Sequence, residues 1–140
     1  MNRLQAQLKD SSPAALPELI VHPDHMQIFM FSAITWNRHH VHYSKDAAIG
    51  EGLPDVVVQR ALLGNYFART LTDWAGDDAE IRELTWKVLS SATPNSRLRC
   101  RGSATAEDEP GFIACELEIV RDDDALVASG SARLQFTEPT

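Results

Sequence analysis

The chain has 140 residues, the length of one ordinary domain. At 44% hydrophobic and 24% charged, with no biased tract, it cannot be a disordered, collagenous or low-complexity protein. Its 13 Lys and Arg against 20 Asp and Glu leave a net charge of −7, which repels phosphate backbones and anionic lipids, so neither nucleic acid nor a membrane is an expected partner.

Cys100 and Cys115 are too few for a disulfide scaffold or a zinc framework, and read as small buried thiols in a reducing compartment. No stretch approaches the roughly 18 apolar residues a bilayer span requires. Met1–Asp10 lacks the apolar centre of a signal peptide, so a soluble, cytoplasmic protein is expected.

Residues 1–17 read as a flexible lead-in to one domain covering 1–140, with Ser11, Ser12, Pro13 and Pro17 as breakers. A short strand is expected at Glu18–His22. Asp24 and Gln27 stand at capping-box spacing and start a helix. Its run Met26–Ile34 is apolar nearly all round, which predicts burial on every side. Ser44 is the expected N-cap of a short helix reaching about Ile49, closed by Gly50-Glu51-Gly52. The longest helix is expected from about Val58 to Ala75, with Gly76 as its stop. Only a stripe of Asn65, Arg69, Thr72 and Asp73 breaks its apolar surface, and it lines either a tunnel or a partner.

The last sixty or so residues alternate with period two, as strands with one apolar face do. The series runs through Leu84, Trp86 and Val88, then Leu98, Cys100 and Gly102, then Ile113, Cys115 and Leu117, then Leu126 to Phe136. Turns at Thr93-Pro94-Asn95, Glu107–Gly111 and Asp122-Asp123-Asp124 predict antiparallel hairpins. Setting Arg101 opposite Glu116 and Arg99 opposite Glu118 gives cross-strand charge pairs on the solvent face. With those glutamates available, Arg97, Arg99 and Arg101 read as a solvated ladder in preference to a phosphate patch. The sum is an α+β fold: an antiparallel sheet of about five strands wrapped around a long central helix.

All five histidines fall in the first third of the chain. His39, His40 and His42 occupy four positions beside Trp36, Asn37 and Tyr43. Histidine exchanges protons near neutral pH, so this cluster suits acid–base chemistry. His40-x-His42 lacks a third ligand at metal spacing, and no metal is expected. His22 and His25 flank a helix start and read as surface groups, as does His40.

The motif Thr35-Trp36-Asn37-x-His39-x-Val41-His42-Tyr43, followed by Glu51-Gly52-Leu53-Pro54 and an apolar helix, resembles the MaoC-like hot-dog superfamily. The resemblance is to its 3-hydroxyacyl-thioester dehydratase type 2-like and (R)-specific enoyl-CoA hydratase branch. It implies a hydro-lyase that interconverts a trans-2-enoyl thioester of coenzyme A or acyl-carrier protein with the 3-hydroxyacyl thioester. By the same resemblance His42 is the principal acid/base, and Asn37 and His39 position water and substrate. Asn37 stands where most of these hydratases carry aspartate, and an amide cannot take up a proton at neutral pH. The resemblance also implies that the N-terminus of the central helix holds the thioester oxygen, with Gln59, Arg60 and Ala61 in place of the usual His-Gly pair. Arg60 then either contacts a carrier phosphate or fills substrate space. Trp36 and Tyr43 are further candidate substrate contacts. No metal or redox cofactor is implied, and the expected partner is a second hot-dog subunit, in a homodimer or hetero-oligomer. Asn37 and the missing His-Gly pair also fit a non-catalytic, half-site subunit. A hot-dog thioesterase fits less well, since neither Asn65 nor Thr70 is a convincing acid or nucleophile.

Overall fold

A computed structural model describes residues 1–138 of the chain. Helix α4, Arg60–Ala75, is its axis, because Leu63, Phe67, Leu71 and Trp74 repeat at helical spacing and are all buried. The expected polar stripe lies on its exposed side, where Arg69 and Asp73 pair at 3.6 Å. Gly76 ends the helix at φ 54°, as the sequence predicts.

Four long strands wrap this helix: β3 at Ala79–Val88, β4 at Leu98–Ala106, β5 at Phe112–Arg121 and β6 at Leu126–Phe136. Two short segments, β1 at Ala14–Ala15 and β2 at Leu19–Val21, both pair with β4 and together act as a fifth strand. The order across the antiparallel sheet is β1-β4-β5-β6-β3. Trp86 of β3 lies flat on the helix because residue 64 is glycine; a Cβ there would sit 2.2 Å from the indole. This is the helix-in-sheet arrangement that the MaoC-like resemblance implies.

Three details of the sheet and its lead-in differ from expectation. Strands β3 and β4 do not form a hairpin, since β3 pairs with β6 at the far edge. Their connection is tied elsewhere: Val58 N–H donates to Ala92 O at 2.9 Å, and Asn95 N–H to Pro23 O at 2.7 Å. The β4–β5 register is shifted by two, with Arg101 opposite Glu118 and Glu116 opposite Ser103. The turn spans Glu107–Gly111 as expected and closes with Glu107 N–H on Phe112 O at 3.0 Å. A shift of two preserves which residues face inward. The arginine face is therefore charge-paired as expected, with new partners: Arg101–Glu118 at 2.6 Å, Arg99–Asp124 at 3.1 Å and Arg97–Asp122 at 3.2 Å. Cys100 and Cys115 share the inner face, buried and unbridged.

The lead-in is not loose chain. Arg3–Asp10 forms helix α1, started by a complete capping box in which Asn2 and Gln5 exchange hydrogen bonds of 3.0 and 2.8 Å. Its apolar pair Leu4 and Leu8 enters the core, and Arg3 donates to Trp74 O at 2.6 Å. Two apolar residues in eight gave too short a pattern to read as periodic. Helix α2, His25–Thr35, starts at Asp24 as expected, with Gln27 N–H donating to its carboxylate at 2.8 Å. It is not buried on every side: only Ile28 and Ser32 are, while Met26, Phe29, Met30 and Ile34 are 50–79% exposed. The described residues cover one stripe of this apolar rod and leave the rest bare. Among the described residues no helix is long and apolar enough to cross a membrane.

Because Leu4 is wholly buried, Leu4→Ala is expected to lower the unfolding free energy by about 2–4 kcal/mol. Urea unfolding measures this directly, and a change below ~0.5 kcal/mol would return α1 to the status of a lead-in.

Candidate active site

The site forms where α2 ends and α4 begins. Trp36 closes α2 in the left-handed conformation, φ 57°, and Asn37 N–H then donates to Ser32 O at 2.9 Å, which turns the chain sharply. The Asn37 carboxamide oxygen accepts from His39 N–H at 3.3 Å. A single 3-10 turn, His40–His42, follows, and then α3 at Lys45–Gly50, capped by Ser44 as the sequence predicts.

The chain next returns alongside itself. Val57 N–H donates to Val41 O at 3.0 Å, and Val57 O lies 2.8 Å from His42 Nδ1. A carbonyl can only accept, so Nδ1 carries the proton and the lone pair of the neutral ring is on Nε2. Burial pushes the His42 pKa below its ordinary 6.5; the Val57 carbonyl works against this and the nearby His39 adds to it. At neutral pH His42 is thus an uncharged imidazole of fixed tautomer, with a basic nitrogen available.

The other candidates separate into two groups. His39 stands edge-on to His42 with ring centroids 5.8 Å apart, and its Nε2 lies 3.4 Å from Glu51 Oε1. Trp36, Asn37 and Tyr43 line a pocket of about 150 Å³ with Phe29, Ser32, Ala33 and Arg38. Tyr43 is held there by its hydroxyl, which donates to Arg38 O at 2.8 Å. His40 packs edge-on against Tyr43 and is exposed, as are His22 and His25.

Gln59, Arg60 and Ala61 do open α4, two residues beyond the carbonyl that holds His42. Gln59 makes no side-chain cap bond, so the first-turn N–H groups face outward without a protein cap, at the positive end of the helix dipole. Two of the three side chains are engaged within the chain itself. Gln59 is fully buried and ties the two helices together, its Nε2 donating to Ile28 O at 2.6 Å and to Ser32 Oγ at 2.8 Å. Arg60 is spread over the Trp86 ring at 4.6 Å and donates to Trp86 O at 2.9 Å, so its charge is engaged by the chain's own sheet. Ala61 is exposed on the first turn. Sequence reasoning missed the Val57 carbonyl and Ser32; backbone acceptors leave no trace in a sequence, and one serine inside an apolar helix is a faint signal.

A family profile described as hydroxyacyl-thioester dehydratase type 2 matches residues 2–94. No curated protein matches significantly in sequence. Among solved structures, the chain is similar to the ChsH1–ChsH2 complex from Mycobacterium tuberculosis, with TM-score 0.82, 23% identity, and 89% of this chain and 97% of that chain covered. It is similar also to an (R)-hydratase from A. caviae involved in PHA biosynthesis, with TM-score 0.83, 15% identity, and 91% and 97% covered. A third likeness is to the HadBC (3R)-hydroxyacyl-ACP dehydratase complex from M. tuberculosis, with TM-score 0.70, 15% identity, and 84% and 90% covered. These likenesses show the fold, which is the hot-dog fold.

Because the His42 pKa is lowered on folding, the unfolded chain binds the extra proton first, and stability should fall as pH drops below about 6.5. NMR titration of the imidazole signals should show one histidine with a midpoint below 6.5, assigned by its loss in His42→Ala. A His42 midpoint at or above 6.5 would remove the neutral base.

Proposed function

The chain belongs to the hydroxyacyl-thioester dehydratase type 2 family, and we propose that it reversibly hydrates a trans-2-enoyl thioester to the 3-hydroxyacyl thioester. The observation that carries this reading is the His42 ring held by Val57 O at 2.8 Å, neutral, a few residues from the open end of α4. His42 Nε2 takes a proton from water as the water oxygen bonds C3. The C2=C3 electron pair shifts toward the thioester, whose oxygen gains negative charge and is held by the N–H groups of the first turn of α4. The imidazolium then returns the proton to C2, and dehydration runs the same steps backward. Asn37 and His39 orient the water and the acyl group. Water and a proton are the only co-reactants, so the reaction calls for no metal or redox cofactor. Coenzyme A or the phosphopantetheine of an acyl-carrier protein is the thioester carrier.

The bare apolar side of α2 and the open edge of β3 support assembly with a second hot-dog subunit, as a homodimer or hetero-oligomer. One observation favours a second reading, that of a half-site subunit needing a catalytic partner. Arg60, in the stretch that replaces the usual His-Gly pair, has its charge committed to Trp86 beside the helix end that would hold the oxyanion.

With a panel of trans-2-enoyl-CoAs, the purified chain is expected to remove the conjugated thioester absorbance, and His42→Ala to lower kcat/KM by about 10²–10⁴. The acid limb of kcat/KM should fall with an apparent pKa below 6.5, the protonated His42 being inactive. No turnover of any acyl length by the intact chain would favour the half-site reading. Turnover unaffected by His42→Ala would overturn the role of the histidine.

A further inference from the structure

Ser32 sits in the middle of α2, where a serine ordinarily sends its hydroxyl proton back to the carbonyl four residues earlier. Two other hydroxyls follow that habit: Thr35 donates to Phe31 O at 2.6 Å and Thr70 to Tyr66 O at 2.9 Å. Ser32 does not. Its i−4 carbonyl is Ile28 O, which accepts both the helical N–H of Ser32 and the Gln59 side-chain N–H at 2.6 Å, so both lone pairs are used. Gln59 Nε2 also donates to Ser32 Oγ at 2.8 Å, which fills one acceptor position on the oxygen and turns its proton away from Gln59. The Gln59 amide can hardly be reversed, because its oxygen would then face the Ile28 carbonyl. It holds this orientation even though Oε1 is left buried with no partner.

The hydroxyl thus directed lines the pocket that also holds Asn37. Asn37 spends its carboxamide oxygen on His39 N–H, which leaves its NH₂ as a second donor. The remaining walls are Phe29, Ala33, Trp36, Arg38 and Tyr43, and the Tyr43 hydroxyl donates to Arg38 O. A largely apolar pocket whose polar side chains, Ser32, Asn37 and Arg38, offer donors selects a ligand atom that only needs to accept.

We propose that Ser32 donates a hydrogen bond to the C3 oxygen of the substrate, the water oxygen in one direction and the 3-hydroxyl in the other, and that Gln59 is the positioning residue that aims it. This rests on the acyl-thioester reading above. The thioester carbonyl is the charge of α4, so the oxygen left for the Asn37 pocket is the one at C3. The inference adds to the histidine chemistry a contact that distinguishes a hydroxylated acyl chain from a saturated one.

The test is calorimetric titration with a 3-hydroxyacyl-CoA and with the saturated acyl-CoA of the same length, all proteins carrying His42→Ala to stop turnover. The chain with Ser32 and Gln59 intact is expected to bind the hydroxylated thioester about tenfold more tightly than the saturated one. Ser32→Ala should erase that preference while leaving affinity for the saturated thioester unchanged. Gln59→Leu should erase it equally, because Ser32 can then turn its proton to Ile28 O. Thermal unfolding run beside each titration identifies any variant that has lost its fold, and Ser32→Ala, a one-atom deletion, carries the test in that event. A preference that survives Ser32→Ala overturns the inference, as does its absence when Ser32 and Gln59 are intact. Failure of both thioesters to bind, repeated with His42 restored, overturns the acyl-thioester reading itself and so separates the two failures.

Discussion

Residue Val57 makes two backbone contacts on which the rest of the site depends. Its N–H reaches Val41 O and its carbonyl reaches the His42 ring, so the segment after α2 is fastened to the segment that leads into α4. One contact sets the position of the turn and the other sets the proton on the imidazole. A histidine on a surface turn would be free to rotate and to charge. Held by a carbonyl and half-buried, it keeps one orientation and one tautomer without any carboxylate partner. The resemblance noted in the sequence places an aspartate, and its negative charge, where this chain has Asn37. The Asn37 amide carries no charge, His42 itself is held by a backbone dipole, and the Glu51 carboxylate lies against His39 at 3.4 Å.

The second fastening is Gln59, which joins α2 to the start of α4 from inside. A buried polar side chain between two apolar helices is costly unless it is hydrogen-bonded, and this one bonds with its nitrogen only. Together Val57 and Gln59 make the end of α2, the His40–His42 turn and the mouth of α4 one unit. The candidate site sits in a connection between helices, and the sheet contributes the rigid wall behind it.

Much of this was legible in the sequence, for identifiable reasons. Period-two runs marked β3 to β6, and the side-chain parity of a strand survives even an error of two in register, as Arg101 and Glu118 show. The caps at Asp24, Ser44 and Gly76 carry their own chemical signature. The motif from Thr35 to Tyr43 pointed to His42 and Asn37. What was not legible depended on partners distant in sequence. Helix α1 is recognised by Trp74 and Asp78, some seventy residues away. The exposure of α2 is invisible to periodicity, since an apolar rod reads alike whether its own chain covers it or another does. Gln59 and Arg60 were read as helix-end residues facing a ligand, yet their side chains turn to Ile28 and Trp86, because a helix N-terminus fixes the direction of its N–H groups and not of its side chains.

The sheet wall has one further consequence. Burial among apolar side chains pushes the thiols of Cys100 and Cys115 up to about 12, and both are closed off from solvent. A thiolate is the natural acceptor for an acyl group leaving a thioester, so an exposed, ionisable cysteine would drain such a substrate onto the protein by transthioesterification. This chain holds its two thiols where they can pack and cannot react. An acyl thioester bound as proposed would therefore meet no reactive cysteine of this chain.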